Sequence, residues 1–252
     1  MNGKELSLVL PCYQPRPGWS KRVYEAYQQL KKDLDLDNLE LIIVNDGSTD
    51  PAVTDEVNEL TKQIGGLAFY SYPRNRGKGY AVRFGVMKAE TESVIFTDID
   101  LAYSMQSVVE TAMLLEKNEA VIGVKNNSYY ENVPYWREKI SKGLRKMTAV
   151  LFPKIITTDT QCGLKGVRGA GKNLLLQVET NSYLFDLEFI VRLSARQDVA
   201  VAIHQLQLRG DASFGTISAS ALINELISFV RILSVARALR AKKKDNPGSH
   251  NQ

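Results

Sequence analysis

The chain has 252 residues, 44% of them hydrophobic and 24% charged, with a formal net charge of +4. That balance excludes a disordered, collagen-like or low-complexity chain, and the length allows one large α/β domain or two small ones with a sizeable core. Two cysteines, Cys12 and Cys162, and two histidines, His204 and His250, exclude a disulfide framework, a Cys-x-x-Cys zinc site and a His-rich metal site.

Leu6–Leu10 is an apolar run stopped by Pro11 and reads as a buried strand. A helical pattern follows over about Lys21–Leu34, then a second buried strand at Leu39–Val44, closed by the turn formers Asn45–Asp50. Pro51 opens a helix to about Gln63; Leu67–Ser71 is a strand, Tyr80–Ala89 a helix and Ser93–Thr97 a strand. Ser104–Lys117 reads as a helix and Ala120–Val124 as a strand. Beyond a polar, tyrosine-rich loop at Asn126–Pro134, the chain is expected to give a basic helix over Tyr135–Phe152 and a glycine-containing loop at Asp159–Arg168. A helix at Phe185–Arg196 and a strand at Val199–Leu208 follow. The Leu6–Leu10 run is shorter than the core of a secretory signal. No stretch reaches the roughly 18 apolar residues of a membrane span, so a cytoplasmic location without a span is the expectation.

Regular β-α-β alternation with apolar strands predicts a mostly parallel sheet with helices on both faces. Ligands of such sheets bind outside the carboxyl ends of the strands, where Pro11–Tyr13, Asn45–Asp50 and Asp98–Asp100 all fall. Asp98 and Asp100 flank one residue at a strand end. That spacing suits either an acidic turn or joint ligation of Mg²⁺ or Mn²⁺, hard cations that take carboxylate and phosphate oxygens. Arg74-Asn-Arg-Gly-Lys-Gly79 precedes a helix and reads either as a basic surface turn or as a phosphate cradle. It is neither a Walker A loop nor a dinucleotide fingerprint. His204 sits in an alternating strand and reads as structural. Cys162 lacks an activating histidine nearby, and no Gly-x-Ser-x-Gly elbow is present. Nothing supports nucleic-acid binding.

Leu8–Tyr13, Ile42–Asp50, Asn75–Gly79, Phe96–Asp100 and Asp159–Lys165 occur in the order of glycosyltransferase family 2. The chain resembles its polyprenyl-phosphate sugar transferases, and Asp159-Thr-Gln-Cys-Gly163 is similar to the dolichyl-phosphate β-glucosyltransferase branch. The resemblance implies a GT-A fold and inverting transfer from a nucleotide sugar. It places Pro11, Tyr13 and Asp46 on the base and ribose, Lys78 at the diphosphate, Asp98 at the nucleotide end, and Asp100, with Asp98, on the metal. Leu101-Ala102 stands where lipid-phosphate mannosyltransferases commonly place a glutamine ligand, which speaks against a mannosyl donor.

A sugar hydroxyl acceptor would need a carboxylate base, and at the position where the resemblance places it this chain offers Phe185-Asp-Leu-Glu188, with Asp186 first and Glu188 second. A lipid phosphate needs only cationic guides, and Arg137 and Arg209 are the candidates, with Gln161 placed at the acceptor by the same resemblance. The leading expectation is hexose transfer, with glucose from UDP-glucose as the first choice, onto a polyprenyl phosphate at the cytoplasmic membrane face. The rivals are a hydroxyl acceptor and a catalytically silent binding subunit with a membrane-protein partner or a second copy. Residues 1–216 are expected to form the catalytic domain and 217–252 an amphipathic helix with a basic tail. Leu226–Lys244 carries six basic residues and no acid, leaving the remainder at −2. That segment either packs on the domain or lies on an anionic membrane as an interfacial helix.

Overall fold

The structure is a computed structural model that describes residues 5–125, 135–210 and 219–245. Its strands are β1 (Glu5–Cys12), β2 (Asn38–Asn45), β3 (Leu67–Ser71), β4 (Val94–Phe96), β5 (Ala120–Lys125), β6 (Lys165–Val167) and β7 (Val201–Leu206). The helices are α1 (Trp19–Asp33), α2 (Pro51–Gln63), α3 (Lys78–Lys88), α4 (Met105–Leu115), α5 (Tyr135–Leu151), α6 (Gly169–Leu176), α7 (Phe185–Ser194) and α8 (Ala219–Asp245).

One sheet runs in the order β3-β2-β1-β4-β6-β5-β7. The β1–β2, β1–β4, β2–β3 and β5–β7 pairs are parallel, so crossover helices must cover both faces. The alternation hidden inside the apolar run of β1 decides which residue serves which layer. Leu8 and Leu10 join Leu41, Ile43, Trp19, Val23 and Leu60 on the α1–α2–α4 side. Val9 joins Ile42, Val44, Val82, Val86, Phe185 and Phe189 on the α3–α7 side. Helix α3 lies unusually close to the sheet: a Cβ on Gly85 would meet Val9 Cγ1 at 2.4 Å. Local signals fix the helix starts, with Pro51 opening α2 under an Asp50 cap and Ser104 Oγ accepting from the Ser107 N–H of α4.

The expected loop at Asp159–Arg168 contains β6, which runs antiparallel to both neighbours and joins the two parallel halves. Helix α6 follows at once, with Leu174 and Leu175 buried. Antiparallel insertion brings the turn before β6 to the same edge as the carboxyl ends of the parallel strands.

Helix α8 packs on the domain through Ile232 and Ala236, which are buried against Phe152, Leu184, Leu187 and Val191. Glu225 pins its first turns, accepting from Ser182 Oγ and from the N–H groups of Tyr183 and Leu184 at 3.0–3.1 Å. The packed face is therefore Phe229, Ile232, Leu233 and Ala236, whereas Ile227 and Val230 point to solvent. Among the described residues no helix is long and apolar enough to cross a membrane.

Candidate active site

Loops from both halves of the sheet meet at its carboxyl edge. Residues Pro11–Gln14 leave β1 and are tied to the turn after β2: Asp46 N–H donates to Cys12 O at 2.8 Å and Gln14 N–H to Ser48 Oγ at 2.9 Å. Pro11 itself is buried in the sheet opposite Val44, while Tyr13 is exposed on the loop. Asp46 is buried, and its carboxylate accepts the N–H groups of Arg76 at 2.7 Å and Gly77 at 2.9 Å. Its first role is to shape the basic turn before α3. Gly47, at φ +78°, lets that turn pass, since a Cβ there would meet Asn75 N at 2.5 Å.

The fixed turn delivers Lys78 to the end of β4, where its Nζ lies 2.5 Å from Asp98 Oδ1. Burial opposes the ammonium charge, but Asp98 and then Asp186 outweigh it and hold the Lys78 pKa above its ordinary value. Asp98 is half-buried and Asp100 exposed. Leu101 takes φ +50° to make the turn, a strained conformation for a branched residue that its own burial offsets. Although Asp100 reaches solvent, the protein packed around its carboxyl and then the neighbouring Asp98 push it up, with Lys78, the Ala102 N–H and Arg209 pulling it down. Arg209 reaches this place because the chain after β7 zips onto the carboxylate turn, Arg209 N–H donating to Ala102 O at 2.9 Å beside a Tyr103–Leu208 bridge.

The turn before β6 closes the other wall. Gly163 N–H donates to Tyr103 Oη at 2.9 Å, and a Cβ on Gly163 would lie 2.6 Å from Asp98 Oδ2. Gln161 is exposed beside it. Asp159, at the head of the motif, accepts from Lys125 N at 2.6 Å and pairs with Arg145 of α5.

Asp186 does not face solvent. It is 3% exposed and forms an ion pair at 2.7 Å with Lys165, which is wholly buried and also donates to Cys162 O. Burial pushes the Asp186 carboxyl up, against Lys165 and Lys78. Glu188 is consumed by structure, accepting from Glu179 N, Thr180 N and Arg192 Nε at 2.8–3.2 Å. Arg137 falls in α5, but its side chain lies outside the described residues. Asp98, Asp100, Lys78, Asp186 and Arg209 thus converge, and Asp46 acts on them through the basic turn. Asp159 and Lys165 bracket one of the ordered motifs, but their partners, and the parts played by Arg145 and Tyr103, were not anticipated from the sequence.

The donor set fits a divalent cation. Among the described residues no group of three His, Cys, Asp or Glu gathers, so Asp98 and Asp100 would be the protein's carboxylate ligands to a hard cation such as Mg²⁺ or Mn²⁺, which accepts further oxygens from outside the protein.

Residues 7–169 match the glycosyl transferase family 2 profile. A dolichyl-phosphate beta-glucosyltransferase of Trichomonas vaginalis is 26% identical over 202 residues, covering 74% of this chain and 60% of that protein. The Homo sapiens dolichyl-phosphate beta-glucosyltransferase is 27% identical over 204 residues, covering 74% and 62%. The chain thus spans about three fifths of the length of these relatives. Glucosyl-3-phosphoglycerate synthase from Mycobacterium tuberculosis, solved with Mg²⁺ and UDP, superposes with a TM-score of 0.61 over 88% of this chain and 75% of its own, at 18% identity. The fold is GT-A. With the five ordered motifs at one sheet edge and the profile spanning most of the chain, this protein belongs to glycosyl transferase family 2.

Proposed function

We propose that this chain is a metal-dependent, inverting hexosyltransferase that moves glucose from UDP-glucose onto a polyprenyl phosphate at the cytoplasmic membrane face. Support for the acceptor comes from the relatives' dolichyl-phosphate specificity and from the charge of the site. The single carrying observation is that Asp186, the one base candidate at the site, is buried and neutralised by Lys165, while Lys78 and Arg209 supply cations. An anionic phosphate oxygen attacks without a base, whereas a hydroxyl has to lose its proton. Two unbridged, buried thiols, Cys12 and Cys162, accord with a reducing compartment.

Asp98 and Asp100 would hold the Mg²⁺ or Mn²⁺, which stabilises charge on the departing nucleoside diphosphate. Tyr13 flanks the nucleotide side of the crevice, and Asp46 holds the Arg76–Gly77 turn so that Lys78 bridges Asp98 and the incoming diphosphate. Arg209 stands at the acceptor side of Asp100 and offsets like charge as the lipid phosphate approaches. Purified protein with UDP-glucose, Mn²⁺ and a polyprenyl phosphate is expected to form lipid-linked glucose; transfer to a hydroxyl acceptor alone defeats the acceptor assignment.

One observation favours the rival hydroxyl acceptor: the raised Asp186 pKa is the direction a general base requires. The paired change Lys165→Met with Asp186→Leu removes both buried charges and separates the readings. Retention of transfer within about tenfold keeps the phosphate acceptor, and complete loss in a folded variant favours the base.

A further inference from the structure

Helix α5 presents an apolar arc to solvent. Its inner face is occupied: Thr148 and Phe152 are buried, Phe152 packs edge-on against Phe229 of α8 at 6.0 Å, and Arg145 turns back to Asp159. At about 100° per residue, Gly143, Leu144, Met147, Val150 and Leu151 share the opposite side. Val150 is 72% exposed, and Leu144, Met147 and Leu151 are exposed at 36–39%. Lys139, Lys142 and Lys146, all exposed, line one edge of this arc. An amphipathic helix that serves only its domain turns its apolar stripe inward, and a contiguous exposed patch marks an interaction surface.

Charge selects the occupant. From Lys139 to Lys154 the chain carries five basic residues, Lys139, Lys142, Arg145, Lys146 and Lys154, and no acid. A second copy would offer the same acid-free surface, whereas an anionic bilayer offers both an acyl layer for the arc and negative headgroups for its lysine edge. We infer that α5 is a membrane-docking helix, its Leu144–Leu151 arc entering the headgroup boundary of an anionic bilayer and its lysine edge holding the lipid phosphates.

The same helix is wired to the site. Arg145 holds Asp159, the Asp159–Gly163 turn rests on Tyr103, and Gly163 abuts the Asp98 carboxylate. Docking through α5 therefore sets the acceptor wall of the crevice at the bilayer surface. This deepens the proposed lipid-phosphate acceptor and rests on it only for that last consequence.

The test is co-sedimentation of the full chain, without substrates, with vesicles of phosphatidylcholine containing or lacking phosphatidylglycerol. The unaltered protein is expected to bind the anionic vesicles, and Met147→Glu with Val150→Glu to weaken binding at least tenfold. Lys142→Glu with Lys146→Glu is expected to abolish the preference for phosphatidylglycerol. Circular dichroism of these surface variants is expected to be unchanged, and transfer to a detergent-dispersed short-chain polyprenyl phosphate to persist in the Met147/Val150 variant. Failure of the unaltered protein to bind, or full binding by the Met147/Val150 variant, overturns the inference; the second result points to the C-terminal basic segment. A dimer by light scattering that the Met147/Val150 variant dissolves overturns it in favour of a second copy. Vesicle binding with no transfer activity leaves the docking helix standing and removes the acceptor assignment alone.

Discussion

At the residue scale, the carboxylate pair works through its neighbours. Gly163 leaves no room beside Asp98 Oδ2, so Gly163→Ala is expected to displace that oxygen and weaken Mn²⁺ affinity by about tenfold with the fold intact, read by calorimetry. Asp100→Asn is expected to lower transfer about 100-fold or more while the Asp46-bound turn remains. Glu188 illustrates the opposite use of an acid. Burial alone would raise its pKa, but hydrogen bonds from the Glu179–Thr180 segment and Arg192 hold it below the ordinary 4.5. A carboxyl with a depressed folded pKa stabilises the fold fully above its unfolded value and loses that contribution as pH falls through the folded one. Urea midpoints are therefore expected to fall below about pH 4.5, and Glu188→Gln to flatten that acid limb while lowering stability at pH 7. In the sequence Asp186 stood first and Glu188 second as a base, since nothing local to them announces the distant N–H groups and ammonium they meet.

At the scale of elements, most parallel strands were readable because they are continuous apolar runs bounded by turn formers, and β7 because its residues alternate. Strand β6 was not readable: three residues carrying a lysine and a glycine give no periodicity, and only pairing with β4 and β5 makes them a strand. Helix α8 was legible as an element, but the face it buries was not. Its apolar residues are spread around much of the circumference, so the side that packs is chosen by Phe152, Leu184 and Leu187 rather than by its own pattern. Ile232→Ala is expected to cost about 2–5 kcal/mol, because Ile232 is wholly buried. Glu225→Ala strips acceptors from three donors and is expected to cost about 1–3 kcal/mol. Hydrogen exchange across Ala219–Asp245 is expected to accelerate in both, ahead of β1 and β2.

At the scale of the molecule, one sheet carries both groups of crevice loops, those of the β1–β2–β3 half, which the proposed function gives to the donor, and those of the β5–β6–β7 half, which it gives to the acceptor. Ligands that engage both halves stabilise the whole cooperative unit. At a hundredfold excess over its dissociation constant, UDP-glucose with Mn²⁺ is expected to contribute about 2.7 kcal/mol, a rise in melting temperature on the order of 5–10 °C. UDP-glucose without metal, and GDP-mannose with it, are expected to give much smaller shifts; a GDP-sugar shift of equal size would reassign the donor. The positive charge is likewise a property of place. It gathers on α5 and on the C-terminal helix, while in the crevice acids and bases meet as pairs such as Lys78–Asp98 and Lys165–Asp186.

The sequence by itself determined the alternation of strands and helices, the edge of the sheet at which chemistry gathers, and the Asp98–Asp100 pair, because apolar runs, turn residues and strand-end motifs are local signals. Only the tertiary structure decided that Asp186 is locked to Lys165, that Lys78 reaches Asp98, and that Asp159 belongs to Arg145. It also decided which faces of α5 and α8 are covered. Those outcomes depend on groups well separated in the chain, whose charges and surfaces meet only when the strands and helices that carry them pack together.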